Sequence, residues 1–106
     1  MNEPAVHLTR RVAPDHPAFA GHFPGQPLWP GVLLLAEVME ALQAAPALAA
    51  RLGERPTLAQ AKFLAPVGPG DTLVVLLYDE PRGLRFELRR GEVLAASGLL
   101  LPEAAA

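Results

Sequence analysis

His22, Gly31, Glu37 and Glu40 are the residues through which this chain could do chemistry, and all fall in one run, GHFPGQPLWPGVLLLAEVMEAL, from Gly21 to Leu42. An imidazole titrates near neutrality, so His22 can take or give a proton at cell pH. Gly31 stands where a helix should begin. Amides at a helix start lack intrahelical partners and sit at the positive end of the dipole, so they can donate to a developing oxyanion. A glycine there lets a substrate approach the backbone closely. Glu37 and Glu40 are the only acids in the helix that follows. A carboxyl in such a place can supply a proton, or simply cap the exposed edge of the helix or meet an arginine across a dimer.

The elements around these residues must hold them in place. Pro14, Pro17, Pro24, Pro27 and Pro30 stud the segment from Ala13 to Pro30, with Gly21 and Gly25 among them. Proline fixes φ and disfavours helix in the residue before it, so this is a loop, but a stiff one. A long loop in a compact domain tends to be functional. Its stiffness keeps His22 and the helix start in a fixed relation, with little entropy lost at each turnover. Pro30 suits the first helical turn, where its missing N–H costs nothing. From Val32 to Leu42 the helix is apolar nearly all round, which predicts enclosure by other structure. Pro46 should end or kink it, and Ala47 to Leu52 reads as a second short helix.

Strands account for the rest. Ala5 to Val12 alternates Val6, Leu8 and Arg10 with His7, Thr9 and Arg11, which is strand periodicity. Thr57 to Ala65 reads as a strand closed by the turn PVGPGD, Pro66 to Asp71. Leu73 to Tyr78 is apolar on both faces, as in a central strand. A turn over Asp79 to Gly83 leads into alternating Leu84 to Arg89, and Gly91–Glu92 turns the chain into Val93 to Leu101. One strand, a long loop, a buried helix and about four antiparallel strands predict an α+β fold with the sheet curled round the helix.

Composition narrows the function classes. A chain of 106 residues is expected to form one domain with a modest core, which makes oligomerisation plausible. A net charge of −2 gives no nucleic-acid footprint. The absence of cysteine excludes disulfides, thiolate catalysis and Cys-ligated zinc. The apolar runs are too short and interrupted to span a bilayer, and the N-terminus lacks the apolar run of a signal peptide. The expectation is a cytoplasmic protein without membrane or nucleic-acid partners.

The stretch GHFPGQPLWPGVLL resembles the HFPGxPxxPG(V/C)(L/V) signature of the hotdog-fold β-hydroxyacyl–acyl carrier protein dehydratases. DHPAFAGHFPG is similar to short dehydratase-like members of aryl-polyene and related polyketide pathways, and AKFLAPVGPGDTL to the strand–turn–strand after the helix. The resemblance spans most of the chain in the right order. It implies one hotdog domain over residues 1–106, an antiparallel sheet wrapped round a central helix. It also implies a dimer, homomeric or with a homologous dehydratase, with sites at the interface. Each site takes a histidine from one chain and a helix acid from the other. The implied substrate is a (3R)-3-hydroxyacyl thioester on acyl carrier protein, as in fatty acid or polyketide synthesis, which loses water without metal or organic cofactor.

On that resemblance His22 would be the base for the proton beside the thioester carbonyl, and the Gly31 amide would donate to the carbonyl oxygen. Phe23, Trp29, Pro30 and Val32 flank this site and would line substrate, although packing of the loop also explains Phe23 and Trp29. The family's helix acid falls on Ala36, with Glu37 next in line. One residue along a helix is a rotation of about 100°, so Glu37 should point elsewhere. Three readings follow: Glu37 or a water replaces the acid; an acid-bearing homologue completes a mixed site; or the chain only binds acyl groups or carrier protein. A hotdog thioesterase fits less well, since hydrolysis in such folds generally uses a helix acid to activate water. His16 and His7 read as structural or surface residues. Arg55, Lys62, Arg89 and Arg90 could meet an acidic carrier protein, or be solvated surface.

Overall fold

The computed structural model describes residues 3–13, 15 and 31–104. His22, Phe23, Trp29 and Pro30, to which the sequence assigns chemistry, lie outside the described residues, as does His16. Strand β1 (Val6–Arg11) precedes helix α1 (Gly31–Gln43) and helix α2 (Pro46–Leu52). Strands β2 (Thr57–Phe63), β3 (Thr72–Asp79), β4 (Leu84–Arg90) and β5 (Val93–Leu101) follow. The strands form one antiparallel sheet in the order β1-β3-β4-β5-β2, so β1 and β2 are its edges.

Alternation decides which face is covered. Leu73, Val75 and Leu77 of β3 and Leu84, Phe86 and Leu88 of β4 are fully buried on one face. Helix α1 lies against β3 and β1, pressing Leu34, Val38, Ala41 and Leu42 into the same core. Each such side chain stabilises the fold by about 1.5–3 kcal/mol through removal from water. Pro46 begins α2 rather than merely stopping α1: the break falls at Ala44–Ala45, and the two axes bend by 114°. A proline at the first helical position loses no hydrogen bond there. Among the described residues no single helix is long and apolar enough to cross a membrane.

Helix α1 departs from the expected all-round enclosure. Val32 is 71% exposed, and Ala36 and Glu40, one turn apart along the same stripe, are exposed too. No described element of the chain covers that stripe. Strand β2 is two residues shorter than expected, ending at Phe63. Beyond it the Leu64 and Ala65 amides both donate to the Ala95 carbonyl, at 2.8 and 3.2 Å. The turn after it is built as its composition implies: Gly70 takes φ +82°, a conformation that glycine adopts without strain, and the Gly68 amide donates to the Asp71 carboxylate at 2.7 Å. The same turn anchors the end of β1, because Val12 N–H donates to Asp71 O and Gly70 N–H to Val12 O. The proline-rich loop therefore leaves from a fixed point.

Candidate functional site

Gly31 opens α1 with no acidic residue in the first turn to occupy its amides. The Phe63 ring at the end of β2 lies across Gly31: a Cβ there would sit 3.1 Å from ring carbons. That contact gives the glycine a physical reason, because a side chain would have to push the ring aside. Strand register explains how Phe63 gets there. Leu8, Val75, Leu88, Ala96 and Phe63 form one row across the sheet, and Val75 and Leu88 in that row face the helix core. Val32, expected to line substrate, projects from the exposed stripe beside this point.

A cavity of about 310 Å³ lies beside the helix, beginning one turn further on at Leu35. Leu35, Val38 and Met39 of α1 line one side, and Leu58, Phe86 and Leu100 of the sheet line the other; Glu54, Arg55 and Pro56 complete the lining. The sheet side follows from register, which pairs Leu58 with Leu100. The row Val6, Leu77, Phe86, Gly98, Ala61 supplies the third residue, Phe86. A Cβ on Gly98 would collide with the Phe86 ring and the Gln60 carbonyl oxygen, so the ring spreads over the glycine. Sequence reasoning missed this cavity, since Leu58 and Leu100 become neighbours only through strand register.

Glu37 faces the other way, toward β1. Its carboxylate lies 3.6 Å from Arg10 Nε, while Arg10 also reaches Glu40 at 3.8 Å. At 3.6 Å the first contact is an ion pair without a hydrogen bond, and among the described residues the buried Oε2 of Glu37 accepts none. Burial raises the Glu37 pKa above the ordinary glutamate range; the negative Glu40 adds to the rise and Arg10 opposes it. The arginine that the sequence placed across a dimer is found in the chain's own first strand, and the alternation that put Arg10 on the face of Val6 and Leu8 was its signal. On the helix, Ala36 points outward and Glu37 is turned from it by about 100°. Arg89 and Arg90, considered for carrier docking, meet Glu87 at 3.1 Å and Asp71 at 3.9 Å. Among the described residues no cluster of ligating side chains could hold a metal ion.

The family model for ApeI-like proteins, described as ApeI dehydratase, matches residues 1–99. This chain belongs to that dehydratase family. It is 35% identical over 112 aligned residues to the 3-hydroxyacyl-[acyl-carrier-protein] dehydratase FabZ of Paramagnetospirillum magneticum, an alignment covering 97% of this chain and 66% of that relative. The chain thus spans about two thirds of that FabZ's length. Among solved structures, the dehydratase heterocomplex ApeI:P from Xenorhabdus doucetiae matches with a TM-score of 0.72 and 27% identity, over 90% of this chain and 83% of that one. A fluoroacetyl-CoA-specific thioesterase, FlK, matches at a TM-score of 0.59 and 21% identity, over 94% and 91%, a likeness of fold alone. The ApeI-like chain is accordingly an α+β hotdog protein, with its five-stranded antiparallel sheet laid against α1.

Proposed function

We propose that this chain, one hotdog unit over residues 1–106, acts as a dehydratase on (3R)-3-hydroxyacyl thioesters carried by acyl carrier protein. His22 removes the proton beside the thioester carbonyl. The Gly31 amide donates to the carbonyl oxygen as negative charge builds there, an interaction worth a few kcal/mol in a water-poor site. The hydroxyl leaves as water once protonated, and a trans-2-enoyl thioester remains. The observation that carries this reading is the helix start at Gly31, where the Phe63 ring leaves no room for a side chain, one helical turn before an apolar cavity beside α1. Family membership and the FabZ relative support the substrate class.

The proton donor is the step in which this chain differs from its resemblance. Ala36 has no proton to give. Glu37 has a raised pKa, which favours the protonated form a donor needs, but it sits on the Arg10 side of the helix. Elimination by the chain alone then proceeds slowly, through Glu37 or water. The exposed stripe of Val32, Ala36 and Glu40 favours a second reading, in which an acid-bearing homologue packs there and supplies the acid to His22. The ApeI:P structure is a heterocomplex, which supports this mixed dimer. The test is enoyl formation from a 3-hydroxyacyl thioester by wild type, His22→Ala and Ala36→Asp, each alone. Slow formation that His22→Ala abolishes supports the first reading. Silence alone with activity gained in Ala36→Asp supports the second. No activity in any of them removes both.

A further inference from the structure

The cavity beside α1 has a far wall, and one residue near the end of the chain holds it. Met39 lies eight residues beyond Gly31, about 12 Å along the helix at 1.5 Å per residue. Leu58 lies five residues before Phe63, about 16 Å along β2 at roughly 3.3 Å per residue. The segment 54–56, which leads into β2 ahead of Leu58, lines the cavity on the side away from the end where the thioester would meet Gly31. Glu103 fastens that segment. Its side-chain Oε1 accepts the Arg55 N–H at 2.8 Å, and its own N–H donates to the Leu52 carbonyl at 2.8 Å. Between these two bonds the chain turns at Gly53, whose φ is +82°, and a Cβ there would lie 2.8 Å from the Glu103 Cβ. The segment is therefore held on both sides of the Gly53 turn by Glu103, through its carboxylate at Arg55 and its backbone N–H at Leu52, while Glu103 itself does not line the cavity.

We infer that Glu103 is a positioning residue for acyl-tail selection: it fixes the 54–56 wall and so sets the longest tail that the cavity accepts. The occupant rests on the proposed thioester function; the wall and its clamp do not. Glutamate acts here as a hydrogen-bond acceptor, so glutamine, which keeps the acceptor oxygen, preserves the clamp, and alanine releases it.

The test is binding of saturated acyl-pantetheine thioesters, from two carbons upward, to the full chain by calorimetry. These probes have no hydroxyl to lose, so their profile is independent of elimination. In the wild type the dissociation constant falls by about fourfold per added methylene, the equivalent of about 0.8 kcal/mol each, until the tail meets the wall, and then levels or rises. Glu103→Ala leaves the short tails unchanged and moves the levelling point to longer ones, while Glu103→Gln keeps the wild-type profile. Met39→Trp, which fills the cavity, brings the levelling point to shorter tails with or without Glu103. A uniform loss across all lengths in Glu103→Ala, an alanine-like profile in Glu103→Gln, or no change in either variant overturns the inference. Failure of elimination with this profile intact removes the proposed function and leaves the wall standing.

Discussion

Glu37 is a charge held against its burial, and its behaviour with pH follows from that. Its folded-state pKa is raised, first by loss of solvent, then by Glu40, with Arg10 of β1 opposing. The native chain therefore keeps this proton at a pH where the unfolded chain has released it. Stability falls as pH rises between the ordinary glutamate value and the raised one, and the loss is complete above that window. Glu37→Gln should be more stable than wild type at neutral pH, with the difference vanishing in acid; melting temperatures of both across that range check it. An equal difference at all pH values would assign the effect to packing. That Glu37 is turned away from Ala36 was legible in the sequence, because helix geometry alone turns consecutive residues apart. Its partner was not: pairing with Arg10 required knowing that β1 runs beside α1, and only the inward phase of Arg10 in the strand alternation hinted at it.

A run apolar on both faces revealed β3, period-two alternation revealed β4, and the Gly91–Glu92 turn marked the start of β5, each nearly to the residue. β2 was harder to read. It is an edge strand with a register shift between Leu58 and Gln60, and a bulge of that kind has no sequence marker here. The consequences of register were hidden for the same reason, above all the pairing of Leu58 with Leu100 beside the cavity and the fit of Gly98 under the Phe86 ring. Gly98→Ala should destabilise the fold by about 1–3 kcal/mol, because the added methyl meets the Gln60 carbonyl as well as the Phe86 ring and the backbone atom cannot swing away; denaturant unfolding checks this. Gly31→Ala meets only the edge of the exposed Phe63 ring, so stability should hardly change. Activity should fall by about tenfold to a hundredfold as the ring and the thioester compete for the space over the amide, measured as kcat/KM on a 3-hydroxyacyl thioester. A variant as active as wild type would remove Gly31 from the site.

At the scale of the whole molecule, α1 and β2 present apolar surface that the described chain does not cover. Val32 (71% exposed), Phe63 (51%) and Leu64 (56%) lie around one end of the helix, next to the β2 edge, which pairs with β5 alone among the described strands. Exposed apolar groups beside an edge strand are the kind of surface that a second chain covers, a seam in the proposed dimer. Val32→Glu should shift sedimentation from dimer toward monomer, since a charge buried in that seam would go unpaired; an unchanged profile would place the interface elsewhere. The sequence indicated this seam only indirectly, through a helix apolar on more sides than its own chain can cover. On the proposed function the same seam bears on the acid expected at Ala36, because the resemblance places each helix acid in the partner's site. The most direct measurement is the rate of enoyl thioester formation by purified wild type, His22→Ala and Ala36→Asp. The account predicts that Ala36→Asp raises the rate by about 10²–10⁴-fold, as a restored acid should, and that adding His22→Ala to it abolishes the gain. An Ala36→Asp protein no faster than wild type, or one indifferent to the loss of His22, would contradict it.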